Sequence, residues 1–255
     1  MPAAFGVQLK DWRGRRRLSQ LDLALSANVS ARHIAFLETG RSNPSREMIG
    51  QLSEALAIPR ADRDTLLTAA GFAQSYKRRD LEDAEMVHVR NAVSWTLERH
   101  DPYPALAVDR HWTLIMANVS ATGLLAGAGI HPGDSMLDAA LNSETLRDSI
   151  ANWSDVAHHI HTRLRTESAY LGGDPILDAA ADQMAAEFDS KQDTSDLPAI
   201  IPTTYRAGGI ELALFSTIAQ FGTAEDIALA DLKIELMFPA DDATREILIA
   251  QSAAH

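Results

Sequence analysis

Three histidines within four positions, His158, His159 and His161, are the densest group of potential metal ligands in the chain. On a helix, His158 and His161 would share a face, but no carboxylate stands at a companion position of the kind metal signatures use. A polar helix face that responds to pH is therefore expected, and no metal. Serine, histidine and aspartate all occur, yet the sequence has neither a strand-to-helix nucleophile elbow nor a phosphate-cradling glycine loop, so no enzyme is expected. The absence of cysteine excludes disulfides, zinc-thiolate sites and thiol chemistry. What remains is the chemistry of arginine. Arg13, Arg15, Arg16 and Arg17 form a cluster near the N-terminus, and Arg32, Arg41 and Arg46 follow. A guanidinium pairs with phosphate and, bidentately, with guanine.

The net charge of -12 conceals a division. Residues 1–79 carry 13 Lys/Arg against 7 Asp/Glu, whereas residues 80–255 carry 10 against 28. A basic N-terminal unit can neutralise phosphates and release counterions, while nucleic acid repels an acidic body. A length of 255 residues with 46% hydrophobic content predicts two domains, each with its own core. The sequence shows no basic segment leading into an apolar one at its start, and no run of about eighteen apolar residues. A cytoplasmic protein with no membrane partner is the expectation.

The arginines need elements to position them, and the stretch Leu18–Gly40 supplies two short helices joined by a tight turn. Ser19 can cap the first helix, with Asp22 completing a capping-box-like pair. Asn28 tolerates the left-handed conformation at the helix end, and Val29 gives the turn an apolar residue to bury. Ser30 begins the second helix and Gly40 ends it. Leu18, Leu23, Ala24, Ala27, Val29, Ile34 and Leu37 follow a helical apolar spacing and are assigned to core. Ala31, Arg32, Ala35 and Phe36 are left to face outward. Arg32 can pair with guanine, while Ala31 offers apolar contact, most plausibly with thymine methyls. Phe36 can do the same or pack against a neighbouring helix. His33 is expected to face phosphate or solvent, and Arg41, Asn43 and Arg46, in and after the following polar turn, with Ser30 and Arg16, complete the phosphate-facing candidates. A helix before this unit is expected from about Phe5 to Arg17. One after Ser45 should bury Ile49, Leu52, Ala55 and Leu56, and another should run from Pro59 to Gly71.

The run LSQLDLALSANVSARHIAFLETGRSNPSREMIGQLSEALAIP resembles the five-helix, lambda-repressor-like DNA-binding domain of XRE-type bacterial regulators. The resemblance implies that Gln20 contacts phosphate and that Arg13 pairs with Glu38. It implies double-stranded DNA as partner, bound by a homodimer on paired half-sites. The expected boundaries are residues 1–76 for this domain, 77–100 for a linker and connecting helix, and 101–255 for the second domain.

In the second domain, Ala105–Asp109 and Trp112–Asn118 read as a hairpin of apolar strands. A mainly helical region from about Asn142 to Glu187 follows, then a polar loop at Asp189–Leu197. Three further strands are expected at Ala199–Arg206, Ile210–Phe221 and about Ile227–Phe238, with Gly208-Gly209 as a hairpin turn and a closing helix near Asp242. Two strands, helices and three strands is the order of an α+β, PAS-like domain with an antiparallel five-stranded sheet. Strand alternation aligns Leu114 and Met116, Phe215, and Leu232, Ile234 and Leu236 on one face, which Trp153 can close. Such a face packs as ordinary core or lines a pocket. Arg163 and Arg165, or Tyr205 and Arg206, could hold a carboxylate at a pocket mouth.

The phrases YPALAVDRHWTLIMANVSA and ELALFSTIAQFGTAEDIALADLKIELMFPADDAT resemble the MmyB-like ligand-binding domain that accompanies XRE-type domains. The resemblance implies a transcription regulator that senses a small apolar ligand, a fatty acid or similar lipid, between sheet and helices. The alternative is a ligand-free module for dimerisation or protein docking.

Overall fold

The computed structural model describes residues 2–75, 79, 81–188, 200–207, 209–221 and 226–253. Contacts divide the chain into two units, residues 1–78 with 167–175 and 225–227, and the remainder.

Five helices build the first unit: α1 (Pro2–Arg15), α2 (Gln20–Ser26), α3 (Ala31–Glu38), α4 (Arg46–Ala55) and α5 (Arg60–Ala69). Their starts are written in local chemistry. Ser19 Oγ accepts from the Asp22 amide (3.1 Å) and the Asp22 carboxylate accepts from the Ser19 amide (2.9 Å), which is the reciprocal capping box. The Ser19 side chain, then the Ser19 amide, hold the pKa of the Asp22 carboxylate below its ordinary value. Ser30 and Ser45 cap α3 and α4 through the amides of His33 and Met48. Asn28 takes a left-handed φ of 52°, as expected of the residue that turns α2 into α3, and Val29 packs against the core. That core contains Phe5, Leu9, Leu23, Ile34, Leu37, Ile49 and Leu52, all buried. The first helix begins earlier than its apolar residues suggest and stops at Arg15, because Arg17 adopts a positive φ of 54°.

Close approach explains Gly6. A Cβ built there would lie 2.5 Å from the Glu38 carbonyl oxygen and 2.6 Å from that of Leu37. Only glycine lets α1 cross the end of α3 at this separation.

The second unit begins with a short 3-10 turn at Ala84–Met86 and α6 (Val87–Arg99). Then come β1 (Ala105–Val108), β2 (Leu114–Ala117), α7 (Val119–Ala126), α8 (Met136–Asn142), α9 (Glu144–Asp148), α10 (Trp153–Leu171) and α11 (Pro175–Met184). It closes with β3 (Thr203–Ala207), β4 (Ile210–Gln220), α12 (Ile227–Ala230), β5 (Lys233–Pro239) and α13 (Asp242–Ser252). The strands form one sheet in the order β2-β1-β5-β4-β3, with every neighbouring pair antiparallel. The expected fold class is thus observed: a helical N-terminal region followed by an α+β domain with a five-stranded antiparallel sheet.

The sheet is buried along β1 and most of β5, whereas residues 216–220 of β4 are exposed. Val93 and Leu97 of α6 pack with Ala105, Ala107, Leu232 and Ile234 on one face, and the whole of β1 is buried. Asn118 ties this side together. Its Oδ1 accepts from the amides of Ala105 (2.9 Å) and Ala121 (2.9 Å), and its Nδ2 donates to the carbonyls of Leu97 (3.2 Å) and Tyr103 (2.8 Å).

Two strand expectations need correction. Ile227–Ala230 is a turn of helix, and the last strand starts only at Lys233. The run IALA carries apolar residues that suit either state, and a short apolar run does not decide between them. Trp112 precedes the second strand with φ 64°, a left-handed turn that aims its ring out of the hairpin register. The expected Asp189–Leu197 loop and Gly208 of the hairpin turn lie outside the described residues.

Candidate functional site

On α3, Ile34 and Leu37 are fully buried while Arg32 is exposed in the first turn. The Arg32 guanidinium lies 5.2 Å from the centroid of the Phe36 ring, so half-buried Phe36 acts as a shelf that limits where the cation can swing. Ala31 is half-buried and packs on the core. The caps of α3 employ Ser30 Oγ and the His33 amide in a bond of 3.2 Å. Arg41 and Asn43 are exposed in the turn after α3, where the Arg41 amide donates to the Phe36 carbonyl (2.8 Å).

Three candidates for phosphate contact are engaged within the fold instead. Arg16 donates to the carbonyls of Leu56 (2.8 Å) and Ala57 (2.7 Å), satisfying orphan acceptors at the end of α4. Arg46 bonds to Ser75 and to the Ala73 carbonyl while covering Phe72. Gln20 turns its amide nitrogen to Glu38 Oε2 (2.7 Å). Glu38 also accepts from Arg13 Nε (2.6 Å) and Nη2 (3.1 Å), so the expected Arg13–Glu38 pair is present with Gln20 as a third member. The hydrogen bond to Glu38 raises the pKa of Arg13. The partners of Arg16 and Arg46 are distant in sequence, which is why a local reading turned these side chains to phosphate without naming those partners.

The second unit holds a cavity of about 500 Å³ between α10, the helices before it and the sheet. This lies within the range of small-molecule sites. Trp153, Tyr205 and Phe215, expected to line a pocket, do line it. Leu114, Met116, Ile234, Leu236 and Arg165 do not. Met116, Ile234 and Leu236 pack on the α6 side of the sheet, and Leu114 is buried apart from the cavity. The correction is one of strand parity: Glu235 and Met237, the alternate residues of β5, face the cavity. Alternation does separate Ile234, Leu236 and Phe238 from Lys233, Glu235 and Met237, but the apolar set does not line the cavity, so the apolar parity pointed to the wrong face. Exposed Arg165 pairs with Asp178 and Asp182, and Arg206 with Glu211 (3.0 Å).

The polar part of the cavity was missed in the sequence except for Arg163 and Tyr205. Arg163 Nη1 lies 3.2 Å from Glu235 Oε1, and Ser216 Oγ donates to the same oxygen (2.6 Å). The Arg163 guanidinium covers Trp112 at 4.1 Å, and Lys233 Nζ approaches the same ring at 4.0 Å. The available signal was Glu235 itself, a carboxylate between Ile234 and Leu236 in a strand otherwise fit for burial. Burial raises the pKa of the Tyr205 phenol, with Glu235 adding to the effect, so the hydroxyl stays protonated. Partial burial of the His159 ring, then the charge of Arg163, lower the pKa of His159.

His158 and His161 share a helix face, as their spacing implies, and both pack edge-on against Phe188, at 4.9 and 5.4 Å. His158 and His159 line the cavity, whereas His161 Nδ1 is 2.8 Å from the Ala181 carbonyl. Among the described residues no group of three or more His, Cys, Asp or Glu could hold a metal ion, and no helix is long and apolar enough to cross a membrane.

Comparison with known proteins adds the family. A helix-turn-helix domain model matches residues 4–66, and the model of the MmyB-like transcription regulator ligand binding domain matches residues 89–250. No curated protein matches. Among solved structures, the clp gene regulator ClgR from C. glutamicum is 28% identical over 28% of this chain and 87% of its own, with a TM-score of 0.25. An RNA-binding Light-Oxygen-Voltage receptor is 15% identical over 99% of this chain and 63% of its own, with a TM-score of 0.29. The helix-turn-helix and the matched ligand-binding domain together place the chain among the MmyB-like transcription regulators.

Proposed function

We propose that the protein is a one-component regulator that reads operator DNA with α3 and takes a small apolar ligand, a fatty acid or similar lipid, in the cavity of its second unit. The observation that carries the DNA half is the division of α3 into a buried side, Ile34 and Leu37, and an exposed first turn bearing Arg32 on its Phe36 shelf. Arg32 reads one guanine, and Arg41 and Asn43 hold phosphate without reading sequence. A homodimer on paired half-sites gives the short α3 enough contacts for specificity. Arg32→Ala relaxes specificity at one base pair by roughly 1–3 kcal/mol, whereas Arg41→Ala weakens all sequences alike and lowers the salt slope by about one. Quantitative footprinting distinguishes them, and unchanged patterns in both variants refute this docking.

The open, largely apolar volume favours a sensor over a fully packed docking module. For the ligand to regulate, it must bind one state of the protein better than another, since equal affinity shifts nothing. Native mass spectrometry of gently purified protein is expected to show an added small-molecule mass, removed by solvent extraction with a change in operator affinity. A protein that stays ligand-free, with operator affinity indifferent to added lipid, contradicts the sensor reading.

A further inference from the structure

We infer that the carboxylate head of the ligand is held between Arg163 and His159, and that His159 takes up a proton from solvent as the head enters. The inference rests on the cavity taking a fatty-acid-like ligand and assigns the groups that receive its head. His159 and Arg163 both line the cavity and stand four residues apart on α10, so they are neighbours on one helix face. Arg163 turns Nη1 to Glu235 at 3.2 Å, while its Nη2 is buried and makes no hydrogen bond. A buried donor of a charged group is costly to leave unmet, and a carboxylate oxygen beside it meets that need.

One guanidinium does not balance two anions. Glu235 is held by Arg163 and by Ser216 (2.6 Å), so an entering carboxylate brings a second negative charge into a largely apolar enclosure. Lys233 approaches the Trp112 ring at 4.0 Å, but its Nζ donates to the Arg110 carbonyl (3.2 Å) and it does not line the cavity. Among the described residues, the titratable groups that do line it are His158, His159 and Arg163 on α10, Tyr205 on β3 and Glu235 on β5, while α7, α8, α9 and β4 present none. His158 packs edge-on against Phe188 (4.9 Å), and the Tyr205 phenol is already protonated. A carboxyl group titrates about three units below neutrality and an ordinary histidine within about one, so an imidazole is the nearer proton acceptor. Without ligand, partial burial and then the Arg163 charge hold His159 below the ordinary histidine range, which leaves it neutral near pH 7. A carboxylate set between the imidazole and the guanidinium offsets the Arg163 charge and attracts the proton, so the same group titrates higher in the complex. Linkage fixes the sign: between the His159 pKa of the free protein and that of the complex, affinity rises as pH falls.

The test titrates decanoate calorimetrically into the full chain near neutral pH, in two buffers of different ionisation enthalpy. Uptake of about one proton per ligand is expected, with affinity rising by up to about tenfold for each pH unit lowered. 1-Decanol brings no charge and is expected to bind with no proton uptake. His159→Gln keeps a polar side chain that cannot take the proton, and is expected to bind decanoate without uptake and with an affinity flat between about pH 6 and 8. Histidine NMR of the unaltered protein reads the same event even where the variant folds poorly: one imidazole is expected to titrate higher with decanoate bound. Decanoate that fails to bind where decanol does, that binds with no proton uptake, or that leaves every imidazole titrating as before overturns the head-group inference and leaves the cavity reading standing. Uptake that persists in His159→Gln overturns the assignment to His159. Failure of both probes to bind overturns the cavity reading and this inference with it.

Discussion

Glu38→Ala destabilises the helix-turn-helix unit by about 3–5 kcal/mol, the range for removing one partner from a buried ion pair. The Glu38 side chain is only 3% exposed and accepts from Arg13 twice and from Gln20 once. Its loss leaves the Arg13 guanidinium, 15% exposed, with the Leu18 carbonyl at 2.8 Å as its remaining acceptor in this cluster. Hydrogen exchange locates the effect. Core amides of α2 and α3 should exchange about two to four orders of magnitude faster where opening is limited by the stability of this unit. Replacing Arg13 and Glu38 together by Met and Leu removes both charges and should cost less than Glu38→Ala alone. A double variant as damaged as the single one would show that packing, and not an abandoned charge, dominates.

Asn118→Ala has the corresponding effect in the second unit. The side chain serves two amides and two carbonyls, and it joins the end of α6, the start of β1 and the first turn of α7. Truncation strands buried backbone groups, each costing about 1–3 kcal/mol when unpaired. Water entering the vacated space recovers part of this loss, so a net effect on the order of 4 kcal/mol is expected. For a unit of this size that is a fall in Tm of about 10 °C by calorimetry. Asn118→Asp sets a carboxylate oxygen against the Leu97 and Tyr103 carbonyls in a buried site and should destabilise at least as much as Asn118→Ala. A shift in Tm within a degree or two of zero for Asn118→Ala, about the effect of an ordinary surface change, would mean that the four bonds are replaceable.

The helix-turn-helix was legible because its determinants are local. Ser19 with Asp22, Asn28 at positive φ, and the serine caps of α3 and α4 all act within a few residues of themselves. The order of the strands was also legible, because each is bounded by turn residues. What escaped was set by partners distant in sequence. Nothing near Arg16 announces that it closes α4 forty residues on, and nothing near Gly6 announces that Glu38 will lie against it. The cavity shows the same limit. Trp153, Tyr205 and Phe215 could be named as lining residues, but Ile234 and Leu236 belong to the α6 face and Glu235 to the cavity. The apolar parity of this strand packs away from the cavity and the parity that carries Lys233 and Glu235 faces the cavity side, an inversion of the usual rule, which only the packed helices decide. The charged residue that looked solvent-facing is the one that defines the polar end of the cavity.

Selection of random-sequence DNA duplexes by the full chain, repeated with Arg32→Ala, tests operator reading by α3 most directly. The account predicts that the unaltered protein enriches paired half-sites about ten base pairs apart, centre to centre. It predicts that the Arg32→Ala selection loses preference at one guanine in each half-site while the flanking positions persist. Recovery of the same motif at full strength by the Arg32→Ala protein, or no motif from either protein, would contradict it.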